Sequence, residues 1–345
     1  MAETFQGRDA VELAAVERSG FTESRHLGSA ALVSGDGTLL AELGDVHAPV
    51  FPRSTLKPFQ AMASLAAGAE LSEEQLVVAC ASHGGTPGHV ALVREILDAC
   101  GLDDRDLGCP PDWPLDRSAR DGLVRAGEPQ NPVYMNCSGK HAAFLAACRA
   151  SGWPLEGYLE PEHPLQQLVR ETVERATSTR PLAVGVDGCG APVYALPLLA
   201  LARGVARLRT ANAASPFALF RNAARISAAI LRHGWVLDGP GRPNTLVIDE
   251  LGVLAKTGAE GVLVMAAPDG TSLAIKMLDG DPRAATLVGL QLLVATGSLE
   301  VDAVQRLLPR LQLEVLGAGV PVGAIRVGAD VPTRILTGPV EPAAS

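Results

Sequence analysis

The stretch Arg53-Ser54-Thr55-Leu56-Lys57-Pro58 sets a hydroxyl and an amine three residues apart. Positions i and i+3 share one face of a helix, so a helix starting at Ser54 would hold the two side chains next to each other. Pro58 agrees with such a start, because proline is tolerated only near the beginning of a helix. A serine hydroxyl is too weak an acid to attack an amide unaided, but a neutral lysine amine within hydrogen-bond reach can take its proton. For that, the lysine pKa must fall several units from about 10.4, through burial or nearby positive charge, and a helix N-terminus supplies some of the latter. Ser54 is therefore the candidate nucleophile and Lys57 its base. Alone, the pattern also describes a capping serine and a solvated lysine.

Far along the chain, Lys256-Thr257-Gly258 stands just before an expected strand. An early helical S-x-x-K joined by a later K-T-G on a strand is the motif order of serine β-lactamases and penicillin-binding proteins. Their Ser-Asp-Asn is missing here. Two serines could fill its role: Ser82, in Ala81-Ser82-His83-Gly84-Gly85, and Ser138, in Cys137-Ser138-Gly139-Lys140. Ser82 follows an apolar helix and opens a glycine pair, where a hydroxyl could reach into a cleft.

Around these motifs the pattern alternates between strand and helix. Ser29 to Ser34 and Thr38 to Leu43 read as a hairpin about Gly35-Asp36-Gly37. Helices are expected to begin near Ser54, Ser72, Thr86, Ser138, Pro161 and Ser215, with Gly101, Gly152 and Gly234 as their C-terminal glycines. Strands are expected at Thr245 to Asp249, Gly261 to Ala267 and Ser272 to Met277, the last two joined by Asp269-Gly270. Helices near Asp281 to Thr296 and Val301 to Leu311 and a strand near Gly323 to Val327 complete the pattern. Strands at both ends and helices between them imply an α+β fold: one antiparallel sheet formed by N- and C-terminal segments, with a helical insert. The expected organisation is an N-terminal segment (1–27), one two-lobed catalytic domain (28–330) and a C-terminal tail (331–345), frayed from Gly338. Within the domain, 28–53 and 245–330 form one lobe and 54–244 the helical lobe. Gly234 to Asn244 would be the crossover.

Bulk composition narrows the chemistry. Of 345 residues, 47% are hydrophobic but only 4% aromatic, so the core must be built from Ala, Val and Leu. A net charge of -9 disfavours nucleic acid as a partner. No apolar run is long enough to span a membrane, and the acidic N-terminus does not read as a signal peptide, so the cytoplasm is the expected location. In a reducing compartment the six cysteines would be thiols.

Two of those cysteines stand out. Cys137 opens Cys137-Ser138-Gly139-Lys140-His141, and Cys189 lies in Asp187-Gly188-Cys189-Gly190, where a strand end turns into a glycine loop. Two thiolates and a nitrogen suit zinc. Spacing alone favours His141 as the nitrogen, because a lysine must first lose its proton.

Together, P-R-S-T-L-K-P-F-Q, A-S-H-G-G-T-P-G-H, N-C-S-G-K-H, V-D-G-C-G-A-P and A-K-T-G-A-E-G-V resemble the Rhizobium etli-type, thermolabile L-asparaginases, from about Gly28 to Val327. The resemblance implies a serine β-lactamase-like fold, a homodimer, and hydrolysis of L-asparagine to L-aspartate and ammonia. It implies two Ser-Lys tandems, Ser54 with Lys57 and Ser82 with Lys256. It also implies zinc on Cys137, Lys140 and Cys189, replacing His141 as the ligand, with Asp187 beside the metal through water. Arg53 and His141 then become candidate contacts for the substrate carboxylate, and Asp187 joins them on the substrate side. Three rivals stand beside this reading: a glutaminase of the same fold, a β-lactamase or penicillin-binding-like acyl-serine enzyme, and a zinc-binding or redox-sensing regulator.

Overall fold

The computed structural model describes residues 3–335. Strand β1 (Val11–Arg18) turns at Ser19-Gly20, both at positive φ (50° and 79°), into the long strand β2 (Phe21–Val33). β3 (Leu39–Leu43) returns along β2, and β4 (Pro49–Val50) leads into a 3-10 turn, Arg53–Leu56. Six helices follow: α1 (Lys57–Ala66), α2 (Glu73–Cys80), α3 (Pro87–Ala99), α4 (Arg117–Ala126), α5 (Ser138–Ser151) and α6 (Pro164–Thr177). A hairpin of β5 (Ala183–Val186) and β6 (Pro192–Pro197) precedes α7 (Leu198–Thr210), α8 (Ala218–Arg232), α9 (Gly234–Leu237) and α10 (Pro243–Leu251). The chain closes with the meander β7 (Leu254–Gly258), β8 (Val262–Ala266) and β9 (Ser272–Met277), then α11 (Ala285–Ala295), α12 (Val301–Leu307), β10 (Glu314–Gly317) and β11 (Val320–Val327).

The main sheet runs β10-β11-β1-β2-β9-β8-β7, with β3 also on β2, and all its pairings are antiparallel. β2 meets β9 in the middle, Ala30 opposite Ile275 and Leu32 opposite Leu273, so strands from both ends of the chain are joined around a helical middle. This is the α+β arrangement that the order of elements implied. Every residue of β8 and β9 is buried, which requires cover on both faces; α7 and α11 both pack on β8 and β9. In the helical layer, α1 is buried from Lys57 through Ser64 and packs against α5, α6 and α8.

Several expectations are corrected. The segment 1–27 is not separate, since β1 and the first half of β2 belong to the main sheet and residue 28 falls inside β2. Its charged alternation marks strands with one wet face. Thr245 to Asp249 is helical: Pro243 at the first position and Gly252 as a left-handed cap (φ 62°) outweigh the β-branched run. Lys256-Thr257-Gly258 lies on β7, not ahead of it. The α-helix expected from Ser54 begins at Lys57, after the 3-10 turn, and Ser54 caps nothing. Gly234 follows His233, the C-cap of α8, and also opens α9, where a Cβ would meet Asp249 Oδ1 at 2.5 Å. The strand expected to end before the Cys189 loop is β5, whereas the helices α4 and α7 and the strands β4 and β6 that complete its small sheet were not anticipated. The tail expected from Gly338 lies outside the described residues.

α5 approaches α2 so closely that a Cβ at Gly139 would lie 2.3 Å from the Val78 carbonyl oxygen. Gly139→Ala should therefore lower the unfolding free energy by about 1–3 kcal/mol, read from urea denaturation. An unchanged midpoint would show that the helices yield without cost.

Candidate active site

Ser82 is delivered by α2. Ser72 caps this helix by accepting from Gln75 N–H (3.3 Å), while the Gln75 side chain returns to Ser72 N–H (3.0 Å). The helix stops at Ala81, whose extended backbone carries Ser82 into a cleft, and Ser82 N–H donates to Leu237 O (3.2 Å). Two lysines, each 1% exposed, converge on its hydroxyl: Lys57 Nζ at 3.1 Å and Lys256 Nζ at 2.9 Å. Lys57 also donates to Ala81 O and to Asn136 O (3.5 Å), so three oxygens face the three protons of an ammonium. Lys256 has one other acceptor, Thr257 O (2.7 Å). Burial, and then the charge of Lys57, push the Lys256 pKa down to about 7, against weaker opposing effects of Asp238, Cys137 and Cys80. Near neutrality Lys256 can thus accept the Ser82 proton.

The expected hydrogen bond between Ser54 and Lys57 is not formed; Lys57 turns to Ser82 instead. Ser54 lies in the 3-10 turn and Lys57 opens α1, with its amine directed to Ala81 O and Ser82 Oγ. Ser54 still lines the same cavity of about 410 Å³, together with Ser82, Asn136, Asp238, Asn244 and Thr257. In the turn, Thr55 N–H is the first to find an acceptor (Pro52 O, 3.2 Å), which leaves the Ser54 N–H ahead of the hydrogen-bond ladder. Gly258 lies against it: a Cβ there would come within 3.4 Å of Ser54 N. Arg53 has φ 53°, strained for a residue with a side chain. The larger groove of about 590 Å³ between α3 and α4 holds Arg94, Asp116 and Tyr134 but neither Ser54 nor Ser82.

Sequence reasoning missed the far wall. Asn244 accepts from Thr257 Oγ1 (2.9 Å), and its N–H faces Asp238 Oδ2 (3.4 Å). Arg242 Nε donates to Asp238 Oδ1 (3.1 Å), and both residues line the cavity. The signal was the polar set Asp238, Arg242 and Asn244 within the stretch taken as a crossover.

The thiols gather next to the cavity. Cys137 caps α5, Lys140 stands in its first turn, and Lys140 Nζ donates to Cys189 Sγ (2.8 Å). All three are almost fully buried. The Cys137 thiol is held well below the usual range, first by a hydrogen bond from Cys189 and then, against burial, by the charges of Lys57 and Lys140. Cys189 is pushed up by the same hydrogen bond and by burial. Burial opposes the charge of Lys140, but the two sulfurs outweigh it and raise its pKa. Among the described residues, no three His, Cys, Asp or Glu side chains gather at metal distance; the third donor here is a lysine. Two sulfurs and a nitrogen facing one another fit zinc as a donor set, provided that Lys140 gives up its proton.

The substrate-side candidates lie elsewhere. His141 is fully buried, its Nδ1 bonded to Tyr158 Oη (2.7 Å), and does not line the cavity. Burial keeps it neutral. Arg53 Nε donates to Asp187 Oδ1 (2.7 Å). Burial would raise the Asp187 pKa, but this bond and the Arg53 charge win and lower it. Arg53 and Asp187 thus occupy each other and tie the Cys189 loop to the turn of Ser54.

The Lys256 pKa has a consequence for stability. Unfolded, this amine titrates at about 10.4. From about pH 7 to about pH 10.4 the folded chain therefore binds fewer protons than the unfolded chain, and stability rises with pH across that window. In Lys256→Met this rise should be absent between pH 7 and 9, read from urea midpoints. Parallel curves for both proteins would refute the shift.

Residues 14–327 match the family described as L-asparaginase II. No curated protein matches the chain. Among solved structures, the native form of Mglu is 14% identical with a TM-score of 0.44, covering 77% of this chain and 63% of its own length. This chain thus spans 63% of the length of that protein. A β-lactamase from Mycobacterium bovis is 17% identical with a TM-score of 0.41, covering 77% of this chain and 94% of that one. A Bacillus glutaminase solved in the presence of 4.3 M NaCl is 15% identical with a TM-score of 0.39, covering 74% and 84%.

Proposed function

The chain belongs to the L-asparaginase II family, and we propose that it hydrolyses the side-chain amide of L-asparagine to L-aspartate and ammonia with a serine nucleophile and lysine bases. The single observation that carries this reading is Ser82 Oγ between a buried ammonium and a buried amine whose pKa is about 7.

Lys256 takes the Ser82 proton, and the Lys57 ammonium stabilises the alkoxide as it attacks the amide carbon. The Ser54 N–H is available to the oxyanion. Ammonia leaves with the proton returned by Lys256. Water, deprotonated by the same amine, then cleaves the ester and restores Ser82. Asp238 and Arg242 offer one charge of each sign to the ammonium and carboxylate of an amino acid. Attack by Ser54 is the second reading, supported by its position on the cavity wall and its own unengaged N–H, whereas Ser82 N–H is committed to Leu237. Mass spectrometry of a quenched reaction, mapping the acylated serine, separates the two.

Cys137, Lys140 and Cys189 would hold a zinc ion, which supplies fixed positive charge and a cross-link between α5 and the loop after β5. No step requires it. Removing it with a chelator should lower the unfolding temperature by several degrees while a burst of acyl-enzyme survives; an unchanged melting temperature would argue against bound zinc.

Six free thiols fit a reducing compartment, and no helix among the described residues is long and apolar enough to cross a membrane. The cytoplasm and a homodimer, as the resemblance implies, complete the reading; sedimentation tests the latter.

Lys256→Met and Ser82→Ala should each lower kcat/KM for asparagine by at least about 10³-fold in an ammonia-release assay, and wild-type activity should fall as pH drops below about 7. Near-normal turnover in either variant would remove the proposed base or hydroxyl. Asparagine should exceed glutamine by about 10-fold or more, the worth of one methylene.

A further inference from the structure

Ser138 takes no part in the serine–lysine cavity, yet it is fully buried and wholly engaged. It sits at the first position of α5, and its hydroxyl donates to Val133 O (2.8 Å). Having given its proton there, it accepts from His83 Nε2, 2.9 Å away. The other ring nitrogen, Nδ1, accepts the Gly85 N–H (3.1 Å). These two bonds select the neutral imidazole with its proton on Nε2. The backbone repeats the link: His83 N–H donates to Asn136 O (3.2 Å), the carbonyl that Lys57 also reaches. His89 stacks on the His83 ring at 5.2 Å and 16°.

We propose that His83 is a positioning residue that fixes Ser82 against its two lysines by clamping residues 82–85 to 136–138 through Ser138. The inference rests on the reading of Ser82 given above. Ser82 Oγ must keep 3.1 Å to one amine and 2.9 Å to the other, and a shift of about one ångström would break a bond. Its neighbours Gly84 and Gly85 cannot hold it by side-chain packing. The imidazole bonds to the far end of the same loop and to the start of α5, so it holds the loop from both sides. Burial first, then the neighbouring His89 and Lys57, oppose charge on the ring, in keeping with the neutral tautomer.

Ser138→Ala deletes one oxygen and touches no substrate. We expect kcat for asparagine to fall about 10–100-fold with KM held within about threefold. Ser138→Thr, which keeps the hydroxyl, should restore most of kcat; should it not fold, His83→Gln, which keeps a donor toward Ser138, replaces it. Added Zn²⁺ should shift the melting temperature of Ser138→Ala as it shifts wild type, showing the thiol cluster intact. An unchanged kcat, a loss confined to KM, a lost Zn²⁺ shift, or no rescue by the hydroxyl-bearing or donor-bearing variant overturns the proposal. If wild type releases ammonia from no amide, the asparaginase reading fails on its own. The clamp is then read from the rate at which a fluorophosphonate labels Ser82: slower labelling in Ser138→Ala supports it, and an equal rate or no label on Ser82 overturns it.

Discussion

Two lysine side chains, each almost fully buried, share one serine oxygen on the wall of a cavity. A folded chain resists this. Each ammonium loses its hydration on burial, and two of them within reach of one atom repel strongly where screening is weak. The conflict is resolved by making the amines unequal. Lys57 is surrounded by three oxygen acceptors, whereas Lys256 has fewer, and burial and the charge of Lys57 push its pKa down to about 7. The surroundings respect this division. Cys80 is fully buried nearby, and burial pushes its thiol up to about 12, so it opposes the lysine charges only weakly. Burying both lysines at one oxygen thus leaves Lys256 the partner that acts as base in the proposed mechanism.

The second cluster shows the opposite bias. Lys140 lies beside sulfur instead of another lysine, and its charge is favoured. The same side chain has its pKa lowered in one setting and raised in the other. Arg53 joins the settings. Its left-handed backbone starts the turn that carries Ser54, and its guanidinium binds the Asp187 carboxylate in the loop of Cys189. A change at the thiols therefore has a short mechanical route to the cavity wall.

Much of this was legible in the residues. S-x-x-K followed by K-T-G pointed to Lys57 and Lys256, which meet at the Ser82 hydroxyl, because both motifs name short elements whose period sets side-chain direction. The pairing within the site was less legible. Whether the long Lys57 side chain reaches Ser54 or Ser82 is set by the segments around Ala81, Ser82 and Asn136 that pack against it, and local sequence does not show these. The far wall was hidden for a related reason: Asp238, Arg242 and Asn244 sit in a Gly/Pro-rich stretch without periodicity, so only tertiary packing shows that they face Thr257. Thr245 to Asp249 misled because β-branched residues suggest a strand, while the stronger signals, Pro243 and Gly252, stood just outside the run. The first strands were missed because their outer faces are charged.

The sheet that joins β2 to β9 has a consequence for how the molecule is made. Lys57 is synthesised early, and its counterpart on β7 follows only after every helix from α1 to α10 has left the ribosome. Until β7 to β9 arrive to pair with β2, the hydrophobic edge of that strand has no neighbour and Lys57 has no reason to lose its water. A nascent chain therefore lacks the serine–lysine cluster for most of its synthesis. During that interval it carries an open strand edge that a second chain could capture, so the step that completes the cluster is also the one that ends the exposure to misassembly.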